Sequence, residues 1–482
     1  MDGLLASPQY GERWARHWLD VARFGESDGF ERDFPRDNLW PYRDWVIAAL
    51  NADMPYDEFT RKQIAGDLIT PGFEGKAAVA FLVAGLHNTV VGGSEFMQKT
   101  ARQDELEEIT GTVGQTFLGL TINCARCHDH KYDPISQKEY YQMASAFQGV
   151  FHKELETQDK RKIYSVRANE TPGVTRVLKR GNALQPVEQV APQAPAAVTG
   201  PQADFGLPQD APDAERCTKL AAWITHPDNP LFTRVIVNRL WHHHFGTGLV
   251  NTPNDLGLNG GRPSHPQLLD WLAGELKANG YRLKPLHRLM VTSNAYRQSS
   301  KPRPQAMAVD ANNRLLWRKS PARLDAESLR DAMLQVSGLL NLEAGGPGFR
   351  DVAGNHNDGT TYYTPFDKDD DASLNRRSIY RFSPRGQRGA ILETFDCPDP
   401  ATTAPSRSVT TTPMQALALL NNAFVLRMAN GFARRAEREV GTDPNKQTAS
   451  SAASLTSTAK WCMTSSPDRR FRKGLSRWRN DR

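Results

Sequence analysis

Cysteine is scarce in this 482-residue chain, with five in all: Cys124, Cys127, Cys217, Cys397 and Cys462. They are too few and too scattered for a disulfide framework, and only one pair has motif spacing. Long apolar runs are missing too. The most apolar stretch, Ala77 to Leu86, is about ten residues long, against the 18 or more needed to cross a bilayer, so no membrane span is expected. A charged-then-apolar leader is likewise lacking, since Met1 to Tyr10 (MDGLLASPQY) leads straight into a helix and shows no signal segment. No internal repeat is present. The body also has no basic excess. Between Lys446 and Arg482, nine Lys/Arg against Asp468 and Asp481 give +7, and taking that from the chain's +6 leaves −1 for everything before it. A nucleic-acid binder carries its basic face within a folded domain. No nucleic-acid partner is therefore expected, and the Ser/Thr/Arg-rich residues 441–482 read as a disordered basic tail.

What is there points to a largely helical protein. Aliphatic and aromatic residues make up 39% and charged residues 24%, enough for a sizeable interior under a soluble surface, and the length exceeds one ordinary core. Ser7-Pro8 opens a helix with Ser as N-cap and Pro at the first helical position, placing Trp14, Trp18 and Val21 on one face. After a turn-rich stretch from Glu26 to Pro41, a second helix carries Trp45, Val46 and Leu50. A third, capped by Asp57, carries Phe59, Ile64 and Leu68. A long helix is predicted from Gln103 to Cys127, because Leu106, Ile109, Val113, Phe117, Leu120, Cys124 and Cys127 recur at three- and four-residue steps. Gly111, Gly114 and Gly119 weaken it by about 1 kcal/mol each relative to Ala and leave room for a bulky group to approach the backbone. A helix near Gln137 to Phe151 closes this region.

From Lys153 to Asp213, Val166, Val174 and Val177 suggest short strands, and Gln185 to Pro212 reads as a Pro/Ala/Gln-rich connection. Helical patterning resumes at Ala214, with segments at Leu220–Ile224, Val235–Phe245, Pro266–Ala278, Ala326–Leu340 and Pro413–Arg438. Gly345 to Asp371 reads as a long surface loop. The predicted fold is mostly α, with two helical domains joined by an irregular segment containing a few short strands. The divisions are 1–152, 153–213, 214–440 and the tail 441–482.

The chemistry-bearing motif is Cys124-Ala-Arg-Cys127-His128, a C-x-x-C-H signature for covalent haem c. Attachment needs two thiols for the two vinyl groups of one porphyrin and an axial ligand for the iron. On a helix, positions i, i+3 and i+4 share a face, which would set Cys124, Cys127 and His128 (the haem-iron ligand) on an inward stripe. Three other readings compete. The pair forms a thioredoxin-like redox disulfide, although no βαβ pattern surrounds it. The segment binds zinc, with His130 and Asp133 as further ligands, although no second C-x-x-C or H-x-x-x-H pair appears. Or the thiols are simply buried. In the haem reading Asp129 or Asp133 accepts the imidazole N–H of His128. Candidate distal ligands are His17, on the face of Trp14 and Val21; His87, at the end of the apolar run; and Met143.

A second polar cluster follows Trp241. His242, His243 and His244 are successive, point about 100° apart on a helix and cannot all hold one metal. With Asn238, Arg239, Asn254, Asp255, Ser264 and His265, they read as a structural network in preference to a ligand site.

The residues also carry a resemblance. The stretch Glu12 to Ile69, with WARHWLDVARF, PYRDWVIAALNADMPYDEF and QIAGDLI, and the run Leu118 to Phe147 (LGLTINCARCHDHKYDPISQKEYYQMASAF) resemble the first of two linked domains of unknown function in planctomycete-type proteins. That domain is often called a planctomycete cytochrome domain because of its C-x-x-C-H. The partner domain is matched by NPLFTRVIVNRLWHHHFGTGLVNTPNDLG, PSHPQLLDWLA, LHRLMVTSNAYRQSS, RLDAESLRDAML and SVTTTPMQALALLNN, and the likeness spans about residues 5 to 440. It implies an exported protein, periplasmic or extracellular, in a family whose members often carry a further N-terminal cytochrome-c-like domain and sometimes carbohydrate-binding-like modules. That upstream region is missing here, which suggests a late or internal start, and the Ser/Arg-rich tail stands where a helical continuation is expected. The resulting expectation is a haem-c-bearing electron-transfer protein with a redox partner protein. The alternative is an extracellular polysaccharide-associated binding or metal-dependent hydrolytic protein, in which the motif is structural or binds zinc.

Overall fold

Proline, glycine and short polar side chains set the helix ends, and they do so where the chain spells them out. The computed structural model describes residues 1–357, 359–366 and 371–441; the expected tail and Cys462 lie outside the described residues. Asn229 caps the helix Pro230–Phe245 through its Oδ1 and the Leu231 N–H (3.0 Å), and Gly246, at φ +89°, ends it. Thr412 and Gln415 form a reciprocal capping box at the start of Pro413–Asn421. Pro266–Ala278 forms as predicted. At the N-terminus the helix begins one residue later than predicted, at Gln9, with Ser7 Oγ accepting from the Gln9 N–H (3.2 Å).

The described chain is largely helical, with three two-stranded antiparallel hairpins. Val150–Glu156 pairs with Lys162–Ala168, and Thr175–Leu178 with Pro186–Val190, the latter inside the expected connection. The third, Val352–Asn357 with Thr360–Pro365, corrects the surface loop predicted from Gly345 to Asp371. Its two strands are exposed on both faces over most of their length, so they carry no alternation for the sequence to reveal.

One apolar core runs from Tyr10 to Tyr380, and a smaller cluster gathers Ala326, Ile391, Leu392 and Phe395. Trp18 is central to the large core: its ring meets Phe59 edge-on at 4.9 Å, and its Nε1–H donates to Gln63 Oε1 at 2.8 Å. Tyr56 stacks on Phe232 at 4.9 Å, which ties the N-terminal helices to Pro230–Phe245. Each such ring buried is worth about 1.5–3 kcal/mol. Among the described residues, no helix is long and apolar enough to cross a membrane.

The helix predicted from Gln103 to Cys127 is corrected. The α-helix is Glu95–Val113; a π-turn, Gly114–Leu118, follows, then Gly119 at φ +60°, then a 3₁₀ turn, Ile122–Arg126. The glycines take up the protein's own bulk. A Cβ on Gly111 would meet Asn123 at 2.9 Å, one on Gly114 would meet Ile122 at 3.0 Å, and one on Gly119 would meet Leu256 and Val235 at 3.0 Å. Arg239 donates to the Gln115 and Thr116 carbonyls at 2.7 and 2.5 Å, satisfying acceptors that the π-turn leaves exposed.

Candidate functional site

Breaking the helix at Gly119 turns the cysteines outward. Cys124, Cys127 and His128 are all exposed, not on the inward stripe that periodicity predicts, and both thiols are free. The turn that carries them is pinned at each end to the same distant segment. The Leu256 N–H donates to the Gly119 carbonyl at 2.7 Å, and the Leu258 N–H to Asp133 Oδ1 at 2.6 Å. Underneath lies the helix Gln137–Ala144, held by a full capping box between Ser136 and Glu139. It reaches up through Gln137 Nε2 (2.8 Å) and Tyr141 Oη (3.1 Å), both donating to the Arg126 carbonyl. Gly181, at φ +72°, lies so close that a Cβ there would stand 2.8 Å from Cys127 Sγ.

The two histidines of the motif do different work. His128 Nδ1 lies 2.6 Å from the Asp129 carbonyl oxygen. A carbonyl can only accept, so Nδ1 carries the proton and Nε2 keeps its lone pair. The expected Asp129 partnership is thus made through the Asp129 main chain, while its carboxylate accepts from the Gln137 N–H at 2.8 Å. His130 is spent on the loop. Its Nδ1 accepts from the Asp133 N–H at 2.8 Å and its Nε2 meets Thr121 Oγ1 at 3.0 Å, so both nitrogens hold backbone and loop together. Asp133 is buried, with Oδ1 taken by Leu258 and Oδ2 3.7 Å from His130 Nδ1.

The candidate distal ligands are engaged elsewhere. Met143 sits on the helix beneath the turn, but its side chain is fully buried in the core. His17 stacks on His243 at 3.8 Å. His87 belongs to a third group with Glu105 and His152.

Around His17 lies a histidine network that takes in His243 and His244 of the expected polar cluster and adds His17 and His287. His243 pairs with His17, whereas His244 Nε2 lies 2.9 Å from His287 Nδ1, and Trp14 packs against His287 at 4.1 Å. Burial lowers the pKa of all four histidines, that of His244 to about 3, so the imidazoles are neutral. Asn238 exchanges two hydrogen bonds with Val250 at 2.8 and 2.9 Å, and Asn254 accepts from Arg239 at 2.7 Å. Sequence reasoning missed His287, because nothing local to it marks a partner 43 residues away.

It also missed a buried ionic seam between the helix Gln9–Val21, the helix Ala326–Ser337 and the segment around Arg407. Arg407 donates through Nε to Asp20 (2.8 Å) and through Nη2 to Glu327 (2.9 Å), and Arg16 donates to the other oxygen of Asp20 at 2.7 Å. Tyr380 Oη donates to Glu12 at 2.8 Å. Burial works against charge on Glu327, yet Arg407 beside it holds that carboxyl below its ordinary value. A small cleft lined by Arg16, Asp20, Glu327, Arg381, Arg388 and Cys397 opens beside the seam. Its guanidinium and carboxylate groups are already bonded to one another or, for Arg381 and Arg388, to the carboxylates of Asp351 and Glu393, so the seam reads as a lock between chain segments.

Comparison with known proteins gives two matches, both to families of unknown function. Residues 1–152 match PSCyt2, protein of unknown function (DUF1549), and residues 216–477 match PSD1, protein of unknown function (DUF1553). The second match reaches beyond residue 440, where the resemblance in the sequence stops, and together they bracket the hairpin-bearing connection. Neither the curated proteins nor the solved structures give a match. The PSD1 match covers more than half of the chain, and on it the protein belongs to the PSD1 (DUF1553) family of proteins of unknown function, with a PSCyt2 (DUF1549) segment preceding that region.

Proposed function

We propose that this protein is a redox protein that holds a c-type haem on its surface through Cys124, Cys127 and His128. The reading rests on one observation: the His128 Nδ1–H is tied to the Asp129 carbonyl at 2.6 Å, beside two free, exposed thiols on the same short turn. That hydrogen bond fixes the ring and leaves Nε2 as the ligand atom, the usual arrangement for a metal-bound histidine. Exposed thiols are what addition to porphyrin vinyl groups requires: each S–H adds across one C=C, and no oxidant is needed. The residues present therefore fit the group.

Bound there, haem would supply a one-electron iron centre whose potential depends on axial ligation, burial and hydrogen bonding. The chain's own part is positional. The 3₁₀ turn presents the two sulfurs three residues apart, the Asp129 carbonyl orients the imidazole, and the anchors at Gly119 and Asp133 hold the turn against the Leu256–Leu258 segment. Placement at the surface suits a protein partner that exchanges electrons on contact, and such attachment would require export from the cytoplasm.

The test is expression with export into a periplasm competent for cytochrome c maturation. The expected result is a Soret band and a haem mass adduct on the peptide containing Cys124 and Cys127, both lost in Cys124→Ser/Cys127→Ser. Exported, folded protein with neither signal would overturn the reading. Zinc without porphyrin at these residues would move the assignment to a structural metal.

A further inference from the structure

His87, Glu105 and His152 come from three separate parts of the chain. His87 follows the apolar turn Ala80–Val83, Glu105 lies on the helix Glu95–Val113, and His152 lies on the strand Val150–Glu156. One ligand atom from each, two imidazole nitrogens and a carboxylate oxygen, lie within 4.8 Å of one another. The rings are stacked almost parallel, with centroids 4.2 Å apart and planes 9° apart. His87 Nδ1 is 2.7 Å from Glu105 Oε1, and His152 Nδ1 is 3.1 Å from Tyr164 Oη. The surroundings hold this set in place. Arg102 donates to Glu105 Oε2 at 2.9 Å and to the Gln148 carbonyl at 2.9 Å, and the His87 N–H donates to the Asp28 carbonyl at 3.0 Å.

We infer that these three residues form a site for a divalent transition-metal ion, independent of the haem reading. The donor types match: two imidazoles and a carboxylate are the set that holds zinc or ferrous iron while leaving coordination positions open. The ligand atoms need to draw together to about 3.3 Å for bonds of 2.0–2.1 Å in tetrahedral geometry, a contraction within the reach of side-chain rotation. The nearby cations do not oppose the ion unbalanced, because Arg36 is paired with Asp28 and Arg23 with Glu108. All three side chains are only half-buried, which gives an ion a route from solvent. Tyr164 and Arg102 then act as outer partners that orient His152 and Glu105.

The experiment uses full-length protein stripped with chelator and titrated with Co²⁺, read by visible d–d absorption and calorimetry, then competed with Zn²⁺. One equivalent is expected to bind at this site, with affinity falling about tenfold or more in Glu105→Gln, which keeps the side chain's shape, and further in His87→Ala/His152→Ala. Circular dichroism on each variant separates a lost site from a lost fold; if the alanine pair does not fold, Glu105→Gln decides. The same titration in Cys124→Ser/Cys127→Ser is expected to keep this equivalent. No d–d band in wild type, or a band that vanishes with the cysteines and survives Glu105→Gln, would overturn the inference while leaving the haem experiment unaffected.

Discussion

The Cys124–His128 turn and the seam around Arg407 are both dense in reactive side chains, and they differ in whether those groups already have partners. At the seam, Asp20, Glu327, Arg16 and Arg407 consume one another's hydrogen-bonding capacity in a buried setting. At the turn, two thiols are free and exposed, and His128 keeps one nitrogen open. The same contrast repeats within one loop, where His130 is saturated by Asp133 and Thr121 and His128, two residues earlier, is not. A group whose bonds are all internal holds the fold; a group left open is available to a ligand. Stability and ligand binding should therefore separate cleanly between the two regions.

The largest effect is expected from breaking the seam. Arg407→Ala leaves the buried Asp20 and Glu327 carboxylates with Arg16 as their one remaining cation in the seam, and removing one member of a buried ion pair costs about 3–5 kcal/mol. Urea unfolding should show this loss, whereas haem loading of whatever protein folds should be unchanged. A loss below about 1 kcal/mol, the range of exposed pairs, would mean the seam is solvated and the contrast is wrong.

Acidification tests the histidine network beside it. His17, His243, His244 and His287 have folded-state pKa values below the ordinary 6.5, through burial first and neighbouring charges second. Between the folded and unfolded values the unfolded chain binds more protons, so stability present above pH 6.5 is lost as pH falls through 6.5. His244, with a folded value of about 3, contributes about 2 kcal/mol of that loss between pH 6.5 and 5, and the other three histidines add to it in the same direction. Unfolding midpoints at pH 7.5 and 5 should differ strongly, and His244→Gln should flatten the slope. An unchanged slope would show that His244 titrates freely.

Much of this was legible in the chain, and the exceptions have physical causes. The C-x-x-C-H signature is contiguous, so sequence finds it at once, and the helix after His265 announces itself through Pro266 in its first turn; the helix Pro230–Phe245 is legible only from Val235 onward, because apolar spacing marks its later turns and its Asn229-Pro230 opening lies outside that pattern. The long helix to Cys127 was over-read, because Phe117, Leu120, Cys124 and Cys127 keep a three-and-four spacing across a break that Gly119 makes with a left-handed backbone. Periodicity reports which residues can face inward, not whether the backbone between them stays helical. The His17–His243 and His244–His287 pairs, the Arg407 seam and the His87–Glu105–His152 group join residues 18 to 387 positions apart. No local pattern encodes such pairings; they appear only once the core has folded.

Within the loop itself, His130→Ala should be felt in stability alone. It leaves the buried Asp133 N–H without an acceptor and removes the Thr121 contact, a loss of about 1–3 kcal/mol. If the loop still folds, haem attachment at Cys124 and Cys127 should persist, since His130 offers no free nitrogen to an iron. Haem loss in a variant with native circular dichroism would instead make His130 a ligand.

The smallest stability effect should come from the residues on which the functional proposal depends. Cys124 and Cys127 are exposed, form no disulfide and bury little, so Cys124→Ser/Cys127→Ser removes almost no internal contact. Substitutions of that kind shift stability by about 0.5 kcal/mol or less. Unfolding in the absence of haem should therefore be nearly superimposable on wild type, while the covalent adduct disappears. A substantial destabilisation would show the thiols packed into the fold rather than presented to a ligand, and would place the turn in the same class as the seam.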